Sequence, residues 1–135
     1  MKWLLDTNVL SEVTKPLPSS KVEDWLRAEA KDSAIDPVVL GELRYGILIL
    51  PRGRRRNRLE AWFDGGARTM HCLSWDRETG LEWAVLLARL RSKGLSMPLR
   101  DSMIAATAMA HKLTLVTRNV RDFEVTSVPL LNPFV

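Results

Sequence analysis

Apolar positions along the chain fall into short solid runs separated by longer stretches in which they recur every three or four residues, a mixture that reads as strands alternating with helices. "KWLL" at residues 2–5 is a short buried strand, and "NVLSEVTK" holds a helical turn or two that must end before Pro16 and Pro18. Behind the loop "PLPSS", Val22, Trp25, Leu26 and Ala30 sit at helical spacing and predict an amphipathic helix from Ser20 to about Lys31. "SAID" is a brief strand. "PVVLGELRYGILIL" opens with Pro37 at a permitted first helical position and predicts a mostly buried helix. Pro51 and Gly53 break it, after which "RRRNRLEAWF" places Leu59, Trp62 and Phe63 on one helical face until Gly65 and Gly66, giving a helical hairpin.

"TMHCLSW" predicts a third strand, and Asp76 the cap of a long helix whose Leu81, Trp83, Ala84, Leu87, Ala88 and Leu90 face the core and which Gly94 ends. "LRDSMIAATAMAHK" is a helix rich enough in Ala to lie close to a sheet, "LTLVT" a β-branched strand, "NVRDF" a short helix and "PLLNPF" an edge strand. Strands apolar on both faces that alternate with helices imply an α/β fold with a parallel sheet covered on both sides. In such sheets sites form beyond the carboxyl ends of the strands, where the strand order reverses. Asp6 stands at the carboxyl end of the first strand.

Composition narrows this picture. A chain of 135 residues, 46% of them hydrophobic, supports one domain spanning residues 1–135 with one substantial core, and so one site. The net charge of +4 favours an anionic partner. The single cysteine, Cys72, excludes an internal disulfide and a Cys-rich zinc site; it is expected to be a plain buried thiol in a reducing, cytoplasmic compartment. Asp6 cuts the first apolar run short of a signal-peptide core, and no later run approaches the roughly 20 residues of a membrane span, so a soluble protein is expected.

The candidate chemistry lies in the acids. Asp6, Thr7 and Asn8 are residues a helix start prefers, and Asp101 stands in a first helical turn, where a negative charge is worth about 0.3 to 1 kcal/mol. Glu42 sits in a helix apolar on nearly every other side, so it must point to a partner such as Arg68 or to a wet cleft; Arg44, two residues on, lies on a different face. Asn119 and Asp122 follow "LTLVT" much as Asp6 and Asn8 follow "WLL". Capping or pairing accounts for each residue alone, whereas a single cleft over the sheet accounts for all of them. Converging carboxylates repel unless a cation joins them, and Mg²⁺ or Mn²⁺ suits such oxygen ligands. His71 and His111 fit no zinc spacing, and neither a Gly-rich phosphate loop nor a GxSxG elbow is present. A cation so held would polarise a phosphoryl oxygen and acidify a bound water, which points to phosphodiester hydrolysis.

Three motifs, "LLDTNVLSE", "VVLGELRYGI" and "DSMIAATAMAHKLTLVTRNVRDF" followed by "VPLLNPF", resemble in order and spacing those of the PIN-domain ribonucleases, specifically the VapC toxins of toxin–antitoxin pairs. The resemblance implies a three-layer α/β/α sandwich around a parallel sheet and Mg²⁺-dependent endoribonuclease activity on RNA. It also implies a homodimer, extending to a larger assembly, and inhibition by a VapB-type antitoxin whose C-terminal segment crosses the groove. Carried over by position, it makes Asp6, Glu42, Asp101 and Asn119 the catalytic residues, with Asp6 and Asp101 as metal ligands joined by Glu42. Asn119 stands where the family often has an Asp and adds no charge, and Asp122 is its alternative. Thr7, Asn8 and Thr117 border the same cleft as orienting groups or as ordinary caps. Trp25, Leu26, Ile47 and Leu48 serve as groove wall or as core.

The densest charge, Arg52, Arg54, Arg55, Arg56 and Arg58, reads either as a patch for RNA phosphates or as a solvated helix face. No aromatic residue interleaves to stack bases, and Glu60 is spaced to pair with Arg56, so the solvated face leads. Two other functions remain in comparison. A non-catalytic PIN-like module would hold RNA or protein on this surface. A haloacid-dehalogenase-type phosphatase would use Asp6 as nucleophile, but it wants a second Asp where this chain has Asn8.

Overall fold

The computed structural model describes residues 1–135, and its element order alternates as the pattern predicts. Strands β1 (Trp3–Leu5), β2 (Ser33–Ala34), β3 (Thr114–Val116) and β4 (Leu130–Leu131) form one sheet. Its order is β2-β1-β3-β4 and every neighbouring pair is parallel. Seven helices flank it in three α/β/α layers: α1 (Thr7–Ser11), α2 (Ser20–Glu29), α3 (Pro37–Leu48), α4 (Arg54–Gly65), α5 (Arg77–Ser92), α6 (Leu99–His111) and α7 (Val120–Phe123). Leu4, Leu5, Ala34, Leu115 and Val116 are fully buried, as strands covered on both faces must be. On α6, Ile104, Ala105 and Ala106 are fully buried too, and the small alanines let the helix lie close to its neighbours. No helix is long and apolar enough to cross a membrane.

Local caps follow the sequence closely. Ser19 accepts from Val22 N–H at the start of α2, Asp36 from Val38 N–H at α3, and Asp76 from Thr79 N–H at α5. Gly94, at φ +69°, takes the left-handed turn that lets the chain leave α5, a conformation costly for any residue with a Cβ. Lys112 adopts the same region at φ 55° after α6.

Four expectations are corrected. "TMHCLSW" is no full strand: Cys72 makes only an isolated parallel bridge to Ile35, with Ile35 N–H donating to His71 O and Leu73 N–H to Ile35 O, before the chain turns toward Asp76. Cys72 is consequently exposed at the sheet edge rather than buried. Helix α3 buries only Val39, Leu43 and Ile47, leaving Tyr45 and Leu48 exposed, because α1 and α4 cover just one side of it. Helix α5 turns Thr79, Leu86 and Leu90 inward; of the expected stripe Leu90 is buried and Trp83 and Leu87 half-buried, while Leu81, Ala84 and Ala88 face out. Trp83 helps set that rotation, since its indole N–H donates to Ser102 Oγ on α6 at 3.0 Å and its ring meets Trp75 edge-on.

Candidate active site

Strands β2 and β3 lie on opposite sides of β1, so the strand order reverses between β1 and β3. Asp6 N–H donates to Val116 O and Thr117 N–H to Leu131 O, which sets Asp6 and Thr117 side by side just beyond the carboxyl ends of these strands. The Asp6 side chain is 1% exposed. A carboxylate so buried must have every oxygen satisfied. Oδ1 accepts from Thr7 N–H at 2.7 Å, and Oδ2 accepts from the Thr117 hydroxyl at 2.8 Å and, more weakly, from Asn8 Nδ2 at 3.5 Å. Asp6 therefore caps α1 and belongs to the cluster at once.

Glu42 reaches the same place from the middle of α3, and Asp101 from the first turn of α6. The Thr7 hydroxyl donates to Glu42 Oε1 at 2.6 Å, tying α1 to α3. Neither Arg44 nor Arg68 pairs with Glu42: Arg44 faces Glu60 and Arg68 faces Asp64. The partner is Arg100, 58 residues away in sequence. Its Nε donates to Glu42 Oε2 at 2.9 Å. Its Nη2 donates to Asp6 Oδ1 and Glu42 Oε1, both at 2.6 Å, and to Thr7 Oγ1 at 3.1 Å. Its Nη1 donates to Asp101 Oδ1 at 3.0 Å. Burial alone would push the Glu42 carboxyl up, but hydrogen bonds from Arg100 and Thr7 outweigh it and hold the group below its ordinary value. Burial likewise works against the Arg100 charge, and its bonds to Glu42 and Asp6 more than restore it.

The donor set suits a hard divalent cation, since carboxylate oxygens converge with no His or Cys among them. As arranged, no three such groups close around a single point. All three carboxylates bond the Arg100 guanidinium instead, Asp6 and Glu42 sharing Nη2 and Asp101 taking Nη1, so a cation already stands where the acids meet. Arg100 is the member of the cluster that sequence reasoning missed. Its one signal was a positive charge beside Asp101, an arrangement common on any helix.

The remaining predicted residues divide. Asn8 bridges the two strand ends: its Oδ1 accepts from Arg118 N–H at 3.0 Å and its Nδ2 donates to Thr117 Oγ1 at 3.4 Å. Asn119 is exposed at the rim, and its side chain neither caps α7 nor makes a hydrogen bond; its N–H donates to Thr117 Oγ1 at 3.1 Å and its backbone O accepts from Asp122 N–H at 3.0 Å. Asp122 is exposed on α7, with no side-chain hydrogen bond to the cluster. His71 and His111 are exposed, as expected of surface residues. Of the basic run, Arg56 pairs with Glu60 at 2.8 Å, while Arg52, Arg54, Arg55 and Arg58 are exposed at the start of α4.

Beside the acids runs a groove. Its near end, a 240 Å³ hollow, is lined by Thr7, Glu42, Ile47 and Trp62. Past Trp62 it opens into an apolar hollow of 490 Å³ lined by Leu10, Val13, Leu26, Ala67 and Met70. Leu26 and Ile47 are thus walls that also touch the core, Trp25 packs edge-on against Trp3, and Leu48 points away to solvent.

The PIN domain family matches residues 3–128. The plasmid stability protein StbB of Pseudomonas syringae pv. tomato is 35% identical over 97% of both chains. The VapC ribonuclease Y4jK of Sinorhizobium fredii is 31% identical over 97% of this chain and 96% of its own. Among solved structures, that of FitAB bound to an IR36 DNA fragment superposes with a TM-score of 0.91 at 28% identity, over 98% of this chain and 96% of that one. Sequence, fold and the placement of the acids at the strand-order reversal agree: the chain belongs to the PIN-domain family, with ribonucleases of the VapC type among its relatives.

Proposed function

We propose that this protein is a metal-dependent endoribonuclease toxin, hydrolysing RNA phosphodiester bonds and held in check by a VapB-type antitoxin in the cytoplasm. The observation that carries the reading is that Asp6, at the end of β1, Glu42 of α3 and Asp101 of α6 all meet one guanidinium, that of Arg100, at the reversal of strand order. Asp6 and Asp101, joined by Glu42, would hold Mg²⁺ or, as its substitute, Mn²⁺, which would supply polarisation of a phosphoryl oxygen and a water acidic enough to attack near neutral pH. The hydroxyls of Thr117 and Thr7 and the amide of Asn8 hold these carboxylates in place. Glu42 is the most exposed of the three and lines the groove. Asn119, free of capping duty, offers a carbonyl at the rim; Asp122, without a bond to the cluster, is the weaker alternative.

RNA is drawn by the net charge of +4, with Arg52, Arg54, Arg55 and Arg58 exposed nearby and Arg56 committed to Glu60. The antitoxin segment lies in the groove past Trp62, its apolar side chains against Leu26 and Met70 and a basic side chain toward Glu42. The naming of relatives as ribonuclease and toxin, and a structural relative solved as the FitAB complex, support this partner. A second copy of the chain suits the exposed apolar stripe of Leu81 and Val85 on α5.

Antitoxin-free protein is predicted to cut RNA with Mg²⁺ or Mn²⁺ and to stop when the metal is chelated. Binding of RNA without cleavage under metal would favour the non-catalytic module.

A further inference from the structure

Arg100 makes direct contact with all three acids of the cluster. Its grip is nearly complete. Both oxygens of Glu42 are engaged, Oε2 by Arg100 Nε and Oε1 by Arg100 Nη2 and the Thr7 hydroxyl. Both oxygens of Asp6 are engaged as well, Oδ1 by Arg100 and Thr7 N–H, Oδ2 by Thr117 and Asn8. Among these three acids only Asp101 Oδ2 makes no hydrogen bond, since Oδ1 takes Arg100 Nη1.

A divalent ion that bound Asp6 and Glu42 would lie about 2.0–2.1 Å from their oxygens if it were Mg²⁺. Arg100 Nη2 sits 2.6 Å from Asp6 Oδ1 and 2.6 Å from Glu42 Oε1, so nitrogen and metal would claim the same position. Of the groups that meet here, Asp6 is fixed in the core with its side chain 1% exposed, whereas the Arg100 side chain is 30% exposed and reaches solvent. Arg100 can leave; Asp6 cannot. Formal charge points the same way: three carboxylates and one guanidinium leave a net −2, a standing attraction for a divalent ion.

We propose that Arg100 is a resident cation that competes with the divalent metal for the same carboxylate oxygens: it pre-sets the acids in the metal-free protein and swings out of the cluster when metal binds. The proposal rests on the metal-dependent nuclease reading and gives the chain itself a threshold for metal occupancy. Removing Arg100 has two opposite effects on one protein. The metal-free state loses stability as three carboxylates lose their shared partner, and metal affinity rises as the competitor disappears. A merely structural arginine would lower both.

The test is Mn²⁺ binding to the full-length, antitoxin-free chain, followed by electron paramagnetic resonance of the free ion, with melting temperature measured alongside. Arg100→Met is expected to bind Mn²⁺ about tenfold more tightly than wild type or better, with a lower melting temperature in chelator and a larger rise on adding Mn²⁺. Arg100→Lys keeps the charge but loses the fork; it is expected to gain about threefold, and it carries the comparison should the neutral variant not fold. Arg121→Met, which removes an exposed positive charge on α7, is expected to match wild type. Unchanged or weaker Mn²⁺ binding by the Arg100 variants overturns the proposal and leaves the nuclease reading standing. No binding by wild type or variants at millimolar Mn²⁺ overturns both.

Discussion

Asp6 illustrates how a residue can satisfy an ordinary rule and a chemical role together. Its Oδ1 caps α1, and its Oδ2 rests on the Thr117 hydroxyl in a site closed to water. Thr117→Val keeps the shape and removes that donor, so the carboxylate is left short of a partner. Denaturation should show a loss of about 1–3 kcal/mol, against the near-zero change expected of an idle surface Thr. The acids were readable in the sequence because each sits at a position that hydropathy alone makes odd. Arg100 was not, because Asp6 and Glu42 lie 94 and 58 residues away and its third partner, the adjacent Asp101, forms a pairing common on any helix. Asp36 is a second buried carboxylate, fully enclosed and bonded to Val38 N–H and the Thr107 hydroxyl. Burial pushes it above its ordinary value of 3.8, against the pull of those bonds. The folded state thus holds this proton more tightly than the unfolded chain does. Its contribution to stability is full below 3.8 and is lost as pH rises through the folded value. Asp36→Asn does not titrate, and Thr107 can accept from the new amide while donating to Met103 O. Relative to wild type, the variant should gain stability as pH rises from about 4 and then level off. A pH-independent difference would contradict this.

At the scale of elements, existence and type were legible, and facing was not. Helix α3 reads as mostly buried because its apolar residues recur every three or four places, yet Tyr45 and Leu48 are exposed. Periodicity counts apolar positions but cannot say which of two apolar stripes a neighbour will cover. Helix α5 makes the same point: Leu86 with Leu90 and Leu81 with Val85 are both plausible faces, and the choice rests on α6 and the Trp83–Ser102 bond, which are tertiary. The edge segment at Cys72 shows the converse, an apolar run too briefly paired to become a strand. Helix ends were better signalled, with one visible flaw. Lys112 takes a left-handed conformation that glycine adopts without a Cβ penalty, and it does so on exposed backbone. Lys112→Gly should therefore raise stability by about 1 kcal/mol, seen as a higher melting temperature.

For the whole molecule, the order β2-β1-β3-β4 explains why the acids meet at all. It sets β1 beside β3, brings α3 and α6 over their carboxyl ends, and leaves a groove running from Glu42 past Trp62 to an apolar hollow. Ala30 is exposed and lines that hollow, away from the acids. Ala30→Trp should weaken antitoxin binding about tenfold or more while RNA cleavage by the free protein stays unchanged. Equal affinity would move the antitoxin to another surface. The central claim is that Asp6, Glu42 and Asp101 form one metal-dependent centre for cutting RNA. It is tested most directly by cleavage of RNA under Mg²⁺ with folded, antitoxin-free wild type, Asp6→Asn and Asp101→Asn. The account predicts cleavage by wild type and a loss of about a hundredfold or more in each variant; variants that cut as fast as wild type would contradict it.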